Sequence, residues 1–205
     1  MLNNFTPRSS VMTGKLKGLG AFNCSSLDNE FCRQMMVTPG TICHDGPCFS
    51  ARMLQSSRQN CRPLWKRNGD WFATERSYSE LKNIVIPPGY FRFDGHGELL
   101  SMAHARNYLY IAALNPQTKF ALWTKRPELV QQALGERAKP TNLQLIYSSP
   151  YLNKIAKRPA GFDKVFTVFD SVPYGHRINC AGKRCIECRI CYENNGIRTI
   201  NEIVK

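Results

Sequence analysis

Tyr90-Phe91-Arg92-Phe93, Asp94-Gly95-His96-Gly97-Glu98 and Lys119-Phe120-Ala121-Leu122-Trp123-Thr124 frame the stretch whose reading decides the fold. The first and last are short apolar, aromatic-rich runs that predict strands, and the acidic, glycine-rich segment ends the first of them. Between them the spacing predicts a helix over about 99–114, with Met102, Ala105, Leu109, Ala112 and Ala113 on one face of a 3.6-residue repeat. Asn115-Pro116 stops it.

Outward from this strand–helix–strand unit the rhythm continues. Pro127 suits a first helical turn ahead of Glu128–Gly135, and Leu143-Gln144-Leu145-Ile146-Tyr147 and Val165-Phe166-Thr167-Val168-Phe169 read as further strands. Upstream, Ile84-Val85-Ile86 is a short β-branched run stopped by Pro87-Pro88-Gly89. Strands alternating with helical patterns predict an α/β fold with a mainly parallel sheet. A length of 205 residues with 42% apolar side chains supports one sizeable core, read as a loosely attached arm over 1–20 and a single domain over 21–205.

No stretch approaches the roughly 18 apolar residues of a membrane span, and Met1–Pro7 lacks the layout of a secretion signal, so a cytoplasmic location is expected. A reducing compartment turns the nine cysteines toward metal binding or catalysis and away from disulfides. Five of them lie between Cys24 and Cys61 and four between Cys180 and Cys191, with none in between.

Cys180, Cys185, Cys188 and Cys191 form a C-x4-C-x2-C-x2-C run. A tight turn aims sulfurs at such spacing, together with backbone N–H groups, into one concavity, which suits an iron–sulfur cluster of the 4Fe-4S kind. Structural zinc usually draws on two knuckles set farther apart, and zinc stands as the alternative metal. Cys43 and Cys48, around His44, form the second candidate metal loop, with irregular spacing to Cys24, Cys32 and Cys61. His104 is placed on the helix surface, and His176 is a candidate hydrogen-bond donor to the cysteine tail.

The run from Cys43 to Met53 resembles the cluster loop of a radical-SAM-like group of bacteriophage proteins of uncharacterised function. The strand ending in Asp94–Glu98, the run Phe120–Glu128 with its Thr-Lys turn, and the tail Cys188–Tyr192 are similar to the same group, so the resemblance spans about 22–192. It implies a partial radical-SAM-like βα barrel with cysteine-rich N- and C-terminal loops. It also implies an iron–sulfur cofactor, SAM as a second ligand, and Asp94, Gly95, His96, Gly97 and Glu98 as the turn that approaches it. The C-x3-C-x2-C triplet usual in radical-SAM enzymes does not occur here.

Twenty-eight Lys and Arg against fifteen Asp and Glu leave a net charge of +13, which points to nucleic acid or another polyanion as a partner. Lys125, Arg126, Lys157 and Arg158 fall in loops after predicted strands and form the candidate binding face. Two functions follow as expectations: an iron–sulfur protein acting on a nucleotide or nucleic acid, or a non-enzymatic basic module stapled by zinc or an iron–sulfur site. The two cysteine regions are expected to meet.

Overall fold

A computed structural model describes residues 5–46 and 48–204. Seven strands, β1 (Ser10–Val11), β2 (Gly20–Ala21), β3 (Gly89–Phe93), β4 (Thr118–Thr124), β5 (Leu143–Ser148), β6 (Lys164–Phe169) and β7 (Thr199–Ile203), lie side by side in chain order. Only β1 runs antiparallel to its neighbour; the other ladders are parallel. Eight helices are described: α1 (Glu30–Val37), α2 (Ile42–Asp45), α3 (Phe49–Gln55), α4 (Arg62–Phe72), α5 (Tyr78–Lys82), α6 (Met102–Leu114), α7 (Pro127–Glu136) and α8 (Cys185–Cys188).

Right-handed crossovers between parallel neighbours in chain order place α6 and α7 together on one face of the sheet. The aromatic and aliphatic side chains of that face, Phe91, Phe93, Phe120, Leu122, Leu143 and Leu145, pack with Tyr108 and Leu109 of α6 and Val130 and Ala133 of α7. Register carries the opposite face across the strands: Arg92 lies beside Ala121, Trp123 beside Ile146, and Phe166 beside Ile200. This face is covered by the chain around Cys180–Tyr192, with Cys180, Cys185, Ile186, Ile190, Cys191 and Tyr192 against Ala121, Ile146, Phe166 and Ile200.

The predicted strands over 90–93, 119–124, 143–147 and 165–169 and the helix from Pro127 are present to within a residue or two. Ile84–Ile86 is not a strand, because Asn115, the residue that ends α6, takes its backbone. Asn115 Oδ1 accepts from Ile86 N (2.8 Å) and its Nδ2 donates to Ile84 O (3.1 Å). Ile84 and Ile86 anchor in the core and Val85 faces solvent. The helix read from Leu99 begins later, since Ser101 caps it by accepting from His104 N (3.1 Å). Residues 10–11 and 20–21, within or beside the stretch read as an arm, are strands of the sheet, β1 at its edge and β2 between β1 and β3.

Candidate metal centres

Three cysteines gather at the carboxyl ends of the parallel strands. Asn29 starts this assembly by accepting from Cys32 N (3.3 Å) at the head of α1 and donating to Glu98 O (2.9 Å) in the turn after β3. Ile42 N donates to Pro150 O (2.7 Å), and Thr41 bridges Tyr151, so α2 is sewn to the loop after β5. Cys32, Cys43 and Cys48 consequently face one another although ten residues separate the first two. The Cys43 and Cys48 side chains hydrogen-bond; Cys43 donates, which with backbone N–H groups of α3 and the charge of Lys125 brings the Cys48 thiol down to about 6. That same bond, then burial, pushes Cys43 up; burial, then the Glu98 charge, does so for Cys32.

Lys125 points into this group. Burial opposes its ammonium charge, but Cys43, Glu98, Cys32 and Cys48 together raise its pKa. The sequence places Lys125 on a nucleic-acid face; the structure places its charge among thiols. Arg126 beside it is also committed, donating to Leu99 O (3.0 Å) and pairing with Glu128 (3.0 Å). Lys157 and Arg158 are exposed, the latter donating to Phe162 O.

The turn Asp94–Glu98 is turned inward rather than toward an open ligand cleft. Gly97, at φ +86°, is required because a Cβ there would lie 2.4 Å from Cys24 O, and one on Gly95 would lie 2.6 Å from Asn23 Oδ1. The close approach made by these glycines is therefore to the segment after β2. His96 is stacked between Trp65 (4.5 Å) and Phe49 (5.5 Å), and burial lowers its pKa to about 4. Glu98 accepts from Thr124 Oγ1, Lys125 N (2.8 Å) and Leu99 N (3.0 Å), so its carboxylate is fixed beside the three thiols.

Beneath this lies a sealed polar network of Cys24, Asp94, His104 and Tyr108. Donor atoms of Cys24, Asp94 and His104 all fall within 4.8 Å of one another, near enough to share an ion. Tyr108 OH donates to Asp94 Oδ1 (3.1 Å). Leu100 N donates to His104 Nδ1 (3.3 Å), so the ring proton sits on Nε2, which faces Asp94 Oδ2 at 3.9 Å and Cys24 Sγ at 4.0 Å. An ion there would have to displace that proton and break the Leu100 bond. Burial and then the Glu98 charge raise Asp94 to about 8, while burial lowers His104 to about 3. Both shifts favour the uncharged forms, and His104 is wholly buried rather than on the helix surface.

The second group is local in sequence. The short helix α8 carries Cys185 and Cys188, Arg189 takes the left-handed φ of 58° that ends it, and Cys191 follows. Cys180 is brought in by its backbone N–H on Asn201 O of β7 (3.0 Å). All four thiols are electrostatic neighbours: burial first, and then mainly one another, raise Cys191, and burial with the Glu202 charge raises Cys180. Arg92, stacked on Trp123 (4.1 Å), faces Cys185 and Cys191 on one side and Asp94 and His96 on the other. His44 pairs with Asp45 (2.7 Å), and His176 stacks on Phe169 (6.3 Å). Seven cysteines thus assemble as two groups, with Cys24 in the buried network and Cys61 in neither, and all nine are free of disulfides.

An open parallel α/β sheet with a three-thiol group at its strand ends and a four-thiol group on one face defines the class of protein. Within it, the family model for gene product 88 matches residues 13–199, and the chain belongs to that phage-type family. No curated protein and no solved structure matches it. Among the described residues no helix is long and apolar enough to cross a membrane.

Sequence reasoning missed Cys32 as a partner of Cys43 and Cys48, and Lys15 as a partner of Cys180, whose Sγ it reaches at 2.9 Å. Neither pairing leaves a spacing signal, since each depends on sheet order.

Proposed function

We propose that the protein is an iron–sulfur protein of radical-SAM-like ancestry with two centres, one held by Cys32, Cys43 and Cys48 and the other by Cys180, Cys185, Cys188 and Cys191. The observation that carries this reading is the sorting of seven free cysteines into a three and a four. The donors fit the group: thiols are the usual ligands of such clusters, and Lys125 beside one set and Lys15 and Arg92 beside the other offset thiolate charge. Bound iron–sulfur clusters supply one-electron transfer.

The four-thiol set can satisfy a cubane with protein ligands alone. Three thiols would hold a cluster with one ligand position to spare, and the place of this set at the carboxyl ends of parallel strands supports SAM as the ligand that would fill it. Lys125 offsets thiolate charge there, and Glu98, bonded to the Lys125 N–H, helps hold it in place. At the mouth of this site Tyr151 is exposed, with Lys154 over its ring (5.1 Å). Together with the +13 net charge this supports a nucleotide or nucleic acid as the substrate.

Anaerobic purification followed by iron, sulfide and zinc analysis tests the centres. The expected result is a brown protein carrying two clusters' worth of iron and acid-labile sulfide per chain. Zinc without sulfide would replace the reading by a stapled, non-enzymatic module. For the substrate class, nucleic-acid binding measured across salt should fall steeply, and K157E with R158E should cut the slope of log K against log salt by about two. Reversal at the exposed Lys82 on α5 serves as the control; equal losses would leave only a generic positive field.

A further inference from the structure

Lys15 stands in the short turn Gly14–Leu16 between β1 and β2, far in sequence from the cysteine tail. Its ammonium nonetheless makes three contacts there, each of 2.9 Å, with Cys180 Sγ, Cys180 O and Glu202 Oε1. Leu16 packs against the same apolar cluster as Cys180, Cys185 and Cys191, and the open-faced Gly18 lies against Ile186. The hairpin between β1 and β2 is therefore docked on the cysteine segment, with Lys15 as its polar contact.

We propose that Lys15 is a positioning residue of the four-cysteine centre, donating an N–H···S hydrogen bond to Cys180 that raises the reduction potential of the cluster. This rests on the iron–sulfur reading above. Gaining one electron makes the cluster and its thiolates more negative, and no bond to Lys15 forms or breaks. A charged donor at 2.9 Å stabilises the more negative state more strongly, so reduction becomes easier. Hydrogen bonds to ligand sulfur are among the protein's levers on such potentials. Glu202 opposes the effect, because it accepts from the same ammonium and draws it away from sulfur. Lys17, two residues on and exposed, carries the same charge on the same hairpin without being placed on sulfur.

The experiment is an EPR-monitored redox titration of the anaerobically purified full chain, following the signal that Cys188→Ser abolishes. Lys15→Met should load with iron and shift the midpoint to lower potential, Lys15→Arg should stay near the parent value, and Lys17→Met should leave it unchanged. An unshifted midpoint in Lys15→Met, or an equal shift in Lys17→Met, overturns the proposal. Should Lys15→Met fail to load, Lys15→Gln, which keeps a donor but not the charge, decides: a midpoint below that of Lys15→Arg supports the proposal and an equal one overturns it. Absence of iron and sulfide from the parent protein removes the reading beneath the proposal and the proposal with it, an outcome visible before any Lys15 variant is made.

Discussion

The two cysteine groups reach the same end by opposite routes. The four-cysteine group is written into twelve consecutive residues, Cys180 to Cys191, and a short helix with a left-handed exit turns it into a concavity. The three-cysteine group is dispersed over α1, α2 and the head of α3. It exists because Asn29 ties α1 to the turn after β3 and Ile42 ties α2 to the loop after β5. The local group covers a sheet face, held there by its apolar contacts and by the Lys15 hairpin, whereas the dispersed group crowns a sheet already packed on its helical side. If metal binds as proposed, it should matter to folding in the local group, whose segment has little regular secondary structure, and mainly to chemistry in the dispersed one.

The largest effect that can break this contrast comes from single ligand losses. Replacing Cys185, Cys188 or Cys191 with Ser should release the metal of that centre and expose the face formed by Ala121, Ile146, Phe166 and Ile200, because binding energy and folding energy are the same quantity in such a loop. Hydrogen exchange should then show β7 unprotected. Replacing Cys43 or Cys48 should remove the other centre's metal while protection of β3 to β6 is kept. Equal loss of protection from both sets would show that the dispersed group also carries the fold.

The two faces of the sheet sharpen the comparison at the next size of effect. Phe93 is fully buried between Tyr108 (4.1 Å) and Phe120 (4.8 Å) on the helical face. Phe93→Ala should cost about 3–5 kcal/mol by denaturant titration, with or without metal, since the surrounding rings cannot close the cavity. Ile146→Ala on the opposite face should cost about 2–5 kcal/mol in the loaded protein and much less after chelation, when the cover that buries Ile146 has loosened. A cost at Ile146 indifferent to metal would mean that the cysteine segment stays seated without its ion.

Much of this contrast follows from what a linear sequence can and cannot express. The strands over 89–93, 118–124, 143–148 and 164–169 and the helix from Pro127 were legible because turn residues punctuate apolar runs of strand length. The four-cysteine loop was legible because its ligands are neighbours. Cys32 was not, since its distance to Cys43 is set by Asn29 and Thr41 rather than by spacing. His104 was placed outward because the stripe through Met102, Ala105 and Leu109 ignores a helix buried on most sides, with Asn107, Tyr108 and Ile111 also inside. The glycines of Asp94–Glu98 suggest a ligand, and in the structure Gly97 makes its close approach to Cys24 O. Such sites are equally glycine-rich in sequence whether the nearby atom belongs to a ligand or to the chain.

The smallest predicted effect separates the sealed network under the dispersed group from its surroundings by pH. Asp94 rises from 3.8 to about 8 in the fold, pushed first by burial and then by Glu98, so the folded state holds its proton where the unfolded chain has released it. The stability it contributes is complete below 3.8 and is lost as pH rises toward 8. His104 works in the other sense: lowered from 6.5 to about 3 by burial, it contributes stability that is complete above 6.5 and lost as pH falls. The two slopes oppose each other between 3.8 and 6.5, which leaves Asp94 to set the trend from 6.5 to about 8. The Glu98 charge facing the same carboxyl steepens that fall, whereas the hydrogen bonds from Cys24 and Tyr108 and the Arg92 charge favour the ionised form and soften it. Asp94→Asn keeps the shape of the protonated acid without its titration. Chemical denaturation of the variant across this window should therefore give a flatter profile than the parent, with the two closest at pH 6.5. A parent profile already flat from 6.5 to 8, or the same slope in both proteins, would show that Asp94 is ionised in the fold and that some cation, rather than a proton, neutralises it.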